Sequence, residues 1–155
     1  KDANPDTFIG VDVIVGFPGE TEGQFQDTID CLNRSFWTKL HVFPFSVREG
    51  TRAEQLDGHI PKLEINNRSK LLRDLSNHRL ADFLQGQVGK RKKVILEQNI
   101  EENVWTGHTE NYLQTLIEID GASTKQLVSA TITEIRGEKV WCEAVIANPQ
   151  RGEAI

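Results

Sequence analysis

Two stretches of the chain carry residue types from which a binding site could be built. The first is Gly16-Phe17-Pro18-Gly19-Glu20-Thr21, directly after the apolar run Val11-Asp12-Val13-Ile14-Val15. A strand that breaks at a Gly-x-Pro-Gly turn and restarts as a helix gathers backbone N–H groups at the positive end of a helix dipole. That combination suits an anionic or strongly polar ligand at the carboxyl edge of a sheet. Arg48 and Ser46 lie in the loop after the next apolar run, at the same edge, and consecutive βα loops at one carboxyl edge are where barrel sites are built. The second stretch is Lys90-Arg91-Lys92-Lys93, the only dense charge run, followed at a short distance by Gly107-His108-Thr109-Glu110-Asn111-Tyr112. The basic run suits a nucleic-acid backbone, and equally a solvated strand end guarded by lysine. In the second string, His108, Asn111 and Tyr112 could stack on and hydrogen-bond to bases, or form a hairpin turn with Tyr112 in the core.

Other chemistry is poorly represented. His41, His59, His78 and His108 are scattered, without a carboxylate or nucleophile at a telling distance. Cys31 and Cys142 have no second Cys or His at metal-ligand spacing, so no metal site is expected, and both read as buried, reduced thiols of a cytosolic protein. Asp12 interrupts an otherwise apolar strand, and calls either for a ligand or for a partner within the sheet. The chain has 155 residues, 37% hydrophobic and 26% charged, which fits one ordinary soluble domain or two small ones. Its net charge of −5 argues against non-specific nucleic-acid binding by the whole surface, though not against a local basic patch. No run approaches the roughly 20 apolar residues that a membrane span needs, and the amino end has no leader pattern.

The elements that must position these residues come in two textures. Residues 11–15 form an almost continuous apolar run, expected as a parallel strand covered on both faces. Thr21 and Gln24 have capping-box spacing, and Phe25, Ile29 and Leu32, with Phe36 beyond them, recur at helical period, predicting a helix over 21–34. Residues 39–45 make a second strand, completing a βαβ unit. Pro61 opens a long helix to about residue 84, with a stripe of Ile65, Leu71, Leu72, Leu75, Leu80, Phe83 and Leu84; Arg68, Lys70, Arg73 and Arg79 read as its solvated face. Two parallel strands are too few to bury both faces of such a sheet, so this half reads as a piece of a larger α/β fold. From residue 85 the period changes to two, with strands expected at 92–98, 103–107, 111–120, 127–135 and 139–146. Five short antiparallel strands in so little chain suggest a small closed barrel of the OB type, with a frayed tail over 148–155.

The residues quoted, extended by Leu40-His41-Val42-Phe43-Pro44-Phe45-Ser46 and Arg48, Gly50 and Thr51, resemble the later barrel strands of the radical-SAM methylthiotransferases. The barrel segment is similar to the TRAM domain of those enzymes, and the string from Gly107 to Tyr112 is most like the MtaB branch, which acts on threonylcarbamoyl-adenosine beside the tRNA anticodon. The resemblance implies an α/β plus small all-β chain: carboxyl-terminal βα units of a partial TIM-like barrel over 1–84, an OB-like TRAM barrel over 85–148, and a tail over 149–155. It implies an enzyme that adds a methylthio group to tRNA adenosine with S-adenosylmethionine and two 4Fe-4S clusters. In those terms Gly16, Gly19, Glu20, Ser46 and Arg48 would line the S-adenosylmethionine pocket. Lys90, Arg91, Lys92, Lys93, His108, Asn111 and Tyr112 would hold the anticodon arm. The six cluster cysteines of the family have no counterpart here, so neither catalysis nor cofactor retention is expected of this chain alone. Its partners would be tRNA and the amino-terminal portion of the same protein, with oligomerisation through exposed half-barrel surface as an option. The alternative is a non-enzymatic RNA-binding module.

Overall fold

The apolar run before the Gly-x-Pro-Gly turn forms β1 (Gly10–Val15), and its parallel neighbour is β2 (Lys39–Pro44), with Val11 opposite Leu40 and Val13 opposite Val42. Between them α1 (Glu22–Arg34) crosses over. It starts where the capping box requires: the Thr21 hydroxyl accepts from the Gln24 amide, and the Gln24 side chain accepts from the Thr21 amide. A 3-10 turn (Arg52–Gln55) and α2 (Lys62–Gln85) follow. This computed structural model describes residues 4–145, and the expected tail over 148–155 lies outside them. Among the described residues, no helix is long and apolar enough to cross a membrane.

The chain divides into two units, one running from Phe8 to Asp82, the other joining the described residues before Phe8 to those from Phe83 onward. In the first unit, Val15, Phe25, Leu32, Trp37, Leu40 and Leu72 form the core, with Val11, Val13, Ile29, Val42 and Leu75 packed around them. Each such side chain, once buried, contributes about 1.5–3 kcal/mol of hydrophobic stabilisation. The Ser76 hydroxyl of α2 accepts from the Leu40 amide at 2.9 Å, fixing helix against strand. Arg79 closes the other end of α1 by donating to the carbonyls of Leu32, Asn33 and Ser35 while lying 4.3 Å over the Trp37 ring.

Several expectations need correction in this unit. The sheet is covered on one face only: Asp12, Ile14, His41 and Phe43 are exposed on the other. Asp12 is therefore not a buried acid. Phe36 is 82% exposed and Leu71 56% exposed, so neither belongs to the apolar stripe of its helix. Cys31 is exposed, whereas Cys142 is buried, and burial pushes its thiol up to about 11. Arg68, expected on a solvated face, is buried.

The second unit is a closed five-stranded barrel of β3 (Arg91–Glu101), β4 (Val104–Thr109), β5 (Gln114–Glu118), β6 (Leu127–Arg136) and β7 (Lys139–Ala144), in the order β3-β4-β5-β7-β6. Period-2 alternation sends Val94, Leu96, Trp105, Ile117, Ala130, Ile132, Val140 and Cys142 inward. One pairing differs from the antiparallel expectation: β5 and β7 run parallel. Closure brings β3 so near β4 that a Cβ on Gly107 would stand 2.2 Å from the Ile95 carbonyl oxygen, so only glycine fits there.

Candidate functional site

The first candidate site is the loop pair at the carboxyl ends of β1 and β2. Pro18 and Gly19 occupy the central positions of a turn in which the Glu20 amide donates to the Phe17 carbonyl at 2.9 Å; Gly19 has φ +85°, as the second central residue of a type II turn requires. Gly16 also has φ +85°, and a Cβ there would lie 2.5 Å from Ile65. The sheet pairing continues into the second loop, where the Phe45 amide donates to the Val15 carbonyl at 2.8 Å, and Phe17 meets Phe45 edge to face at 5.3 Å. These contacts bring the Gly16–Glu20 turn and the start of the Ser46 loop together, as expected. Ser46 and Arg48 are exposed.

The polar groups of the first loop are largely committed to the protein itself. The Gly16 amide donates to Glu20 Oε2 at 2.7 Å and the Gly19 amide to the Gly58 carbonyl at 2.9 Å. Glu20 Oε2 also accepts from Arg68 Nη1 at 3.0 Å, while Arg68 Nη2 reaches Glu22 at 3.1 Å and Nε reaches Glu64 at 3.0 Å. The Arg68 side chain is only 7% exposed and lies over the Phe25 ring. Burial opposes its charge, but the hydrogen bonds and charges of Glu20, Glu64 and Glu22 outweigh it and raise its pKa above the ordinary arginine value. Glu20, expected to face a ligand, is thus a strut between the turn and α2, and the two glycines shape the loop rather than present free amides. Arg68 escaped sequence reasoning. The i,i+4 pair with Glu64 was visible, but its tie to Glu20 and Glu22, about 46 residues away, was not.

The second candidate site lies on the barrel. The basic run does not form one patch, because strand alternation divides it. Lys90 and Lys92 reach Asp6, at 2.5 and 3.1 Å, and the Lys92 side chain is 8% exposed. Arg91 and Lys93 point outward and make no ion pair among the described residues. Hydrogen bonds from Lys90 and then Lys92 hold the Asp6 carboxyl down at about 2 against the resistance of partial burial. Asn111 is committed as well: its Nδ2 donates to the Asp6 carbonyl at 2.9 Å and to Gln87 at 3.3 Å, and its Oδ1 accepts from Thr109. Lys90, Lys92 and Asn111 therefore hold Asp6 to the barrel, and their side chains are not free for a ligand.

Tyr112 and His108 behave differently. Tyr112 is 77% exposed at φ +62°, so its ring is not in the core. With Ile95, Glu97, His108, Thr109 and Glu110 it lines an open depression of about 480 Å³. His108 Nδ1 lies 2.8 Å from Glu97 Oε1. A carboxylate can only accept, so Nδ1 carries a proton and donates it to Glu97. Among the described residues there is no group of three or more metal-ligating side chains.

No family model matches the chain. It is 32% identical over 114 residues to the threonylcarbamoyladenosine tRNA methylthiotransferase MtaB of Thermotoga maritima, which covers 74% of this chain and 26% of the relative. It is 34% identical over 108 residues to the ribosomal protein uS12 methylthiotransferase RimO of Clostridioides difficile, covering 68% and 24%. It is 32% identical over 138 residues to the tRNA-2-methylthio-N(6)-dimethylallyladenosine synthase of Alkaliphilus oremlandii, covering 88% and 29%. Among solved structures, apo RNase R of Mycoplasma genitalium overlaps 53% of this chain and 17% of its own at 15% identity and a TM-score of 0.34, too slight a likeness to bear on fold or function. The chain belongs to the methylthiotransferase family. It spans about a quarter of the length of the curated relatives it matches.

Proposed function

We propose that the chain is the carboxyl-terminal portion of a radical-SAM methylthiotransferase acting on a modified tRNA adenosine, threonylcarbamoyl-adenosine in the first instance. The first unit would be the closing βα units of a partial TIM-like barrel, and the second a TRAM-like RNA-binding barrel. The observation that carries the reading is the family match together with two carboxyl-edge loops joined through Phe17 and Phe45. In the whole enzyme, Ser46 and Arg48 would offer polar contacts to S-adenosylmethionine beside the Phe17–Phe45 rings, and Gly16 and Gly19 would form the backbone wall that Glu20 and Arg68 brace. When bound, that cofactor supplies the methyl and radical chemistry of the family. The clusters do not fit this chain: an exposed Cys31 and a buried Cys142, one in each unit, cannot ligate them. They would be held by an amino-terminal portion, whose strands would cover Ile14 and Phe43; a second copy could cover the same face. The enzyme would work in the cytoplasm, where its tRNA is found.

Joining this chain to the remaining part of the Bacillus subtilis MtaB relative, in cells lacking that enzyme, should restore the methylthio group on threonylcarbamoyl-adenosine, read by mass spectrometry of digested tRNA. A folded fusion that leaves tRNA unmodified would sink this reading. Relatives named RimO are as similar, 34% and 35% identical, so methylthiolation of a ribosomal protein is the second reading, decided by the mass of uS12 from the same cells. For the barrel, replacing Arg91 and Lys93 by Ala should flatten the dependence of log K for single-stranded RNA on log salt by ~1.4, two phosphate contacts at ~0.7 each. An unchanged slope would remove that row from the RNA surface.

A further inference from the structure

We infer that the Tyr112 depression takes a nucleobase bearing an exocyclic amino group, such as adenine or cytosine, in preference to uracil, and rejects phosphate. The inference deepens the RNA-binding reading of the barrel and rests on it. Along β3 the outward residues are Arg91, Lys93, Ile95 and Glu97, spaced by ~7 Å for each pair of residues. The two cations occupy one end of this row. At the other end the depression has the 42% exposed Ile95 as an apolar floor and the Tyr112 ring as an exposed aromatic wall. Stacking needs only those two surfaces. The edges of the depression choose the base, because its two carboxylates can only accept hydrogen bonds. Glu97 gives one oxygen to His108 and keeps the other; Glu110 gives Oε2 to the Lys93 amide and keeps Oε1. An N6 or N4 amino group satisfies such acceptors, as when a carboxylate reads cytosine N4. Uracil offers such acceptors only its N3–H, flanked by two carbonyl oxygens that would face the carboxylates, and a phosphodiester offers no donor at all. Phosphates therefore fall to Arg91 and Lys93, and the base to the acidic end of the row.

The test is equilibrium binding of fluorescent (rA), (rC) and (rU) oligomers of one length to the 155-residue chain, at two salt concentrations. Adenine and cytosine oligomers should bind about fivefold more tightly than uracil oligomers. The E97Q/E110Q pair, which replaces carboxylate oxygens with amide donors of the same size, should shift that ranking toward uracil. Y112N suits the positive φ and removes the ring; it should weaken all three oligomers about tenfold without changing the salt slope. Circular dichroism and the thermal midpoint check that each variant is folded. A base ranking identical in the parent and in folded E97Q/E110Q, with RNA still bound, would overturn this inference and leave the RNA reading standing. Absence of RNA binding at low salt by the parent chain would overturn both.

Discussion

Each unit gathers several charges around one of opposite sign, and the two do so with the signs reversed. In the α/β unit one buried cation, Arg68, collects Glu20, Glu22 and Glu64. In the barrel unit one carboxylate, Asp6, collects Lys90 and Lys92. They also differ in how they end. The barrel closes on itself and leaves no strand edge, whereas the two-stranded sheet leaves Ile14 63% exposed beside its register partner Phe43, 50% exposed. A closed barrel can satisfy its backbone and bury its inner face alone; a pair of parallel strands cannot, which is why such units occur inside larger sheets. The difference teaches that the barrel covers its own strand edges, while the βα unit leaves apolar side chains of its sheet uncovered among the described residues.

Substitutions can break this comparison. The largest effect is expected from Gly107→Ala, because the new Cβ meets the Ile95 carbonyl rather than a flexible side chain. About 4 kcal/mol of barrel stability should be lost, at the exceptional end for single substitutions. A loss below about 1 kcal/mol in chemical denaturation would mean that the strands can separate there at little cost. Arg68→Ala should follow, at about 3 kcal/mol, because it leaves the 15% exposed Glu20 without its cation. Glu22→Gln should cost less than about 1 kcal/mol, since that partner is 73% exposed and screened. Amide exchange at Gly16 should rise in Arg68→Ala, reporting release of the turn; unchanged exchange would show that Glu20 holds the loop unaided.

The Asp6 cluster should respond more weakly, because its carboxylate is 32% exposed where the Arg68 side chain is 7% exposed. Its pKa is depressed in the fold, from 3.8 to about 2. Its stabilisation is therefore fully present above pH 4 and is lost as the pH falls from about 4 through about 2. The difference in unfolding midpoint between the parent chain and Asp6→Asn should be constant from pH 5 to 7 and shrink across that acid window. A difference that stays constant down to pH 2 would show that Asp6 titrates normally.

Much of the local structure was legible in the residues. Thr21 and Gln24 announced the start of α1, Pro18-Gly19 the turn before it, and period-2 alternation the five strands, because each depends on neighbours a few positions away. The capping box and the period-2 alternation of the barrel strands appear as read. The candidate sites were legible only in part. Gly16, Gly19, Ser46 and Arg48 do come to one sheet edge, and Tyr112 and His108 share one depression. The basic run misled because four consecutive cations look like one patch in one dimension, and a strand sends them alternately to opposite faces.

The sequence by itself determined the family, the change of period near residue 85, and the turns that only glycine can make, since these follow from residue type and short-range spacing. Tertiary structure alone decided which polar groups remain available. Glu20, Lys90, Lys92 and Asn111 are engaged by Arg68, Asp6 and Gln87, while Arg91, Lys93, His108 and Tyr112 keep an open face. The physical reason is distance along the chain. Arg68 lies 48 residues from Glu20 and Asp6 lies 84 from Lys90, and contacts that close such loops leave no local pattern.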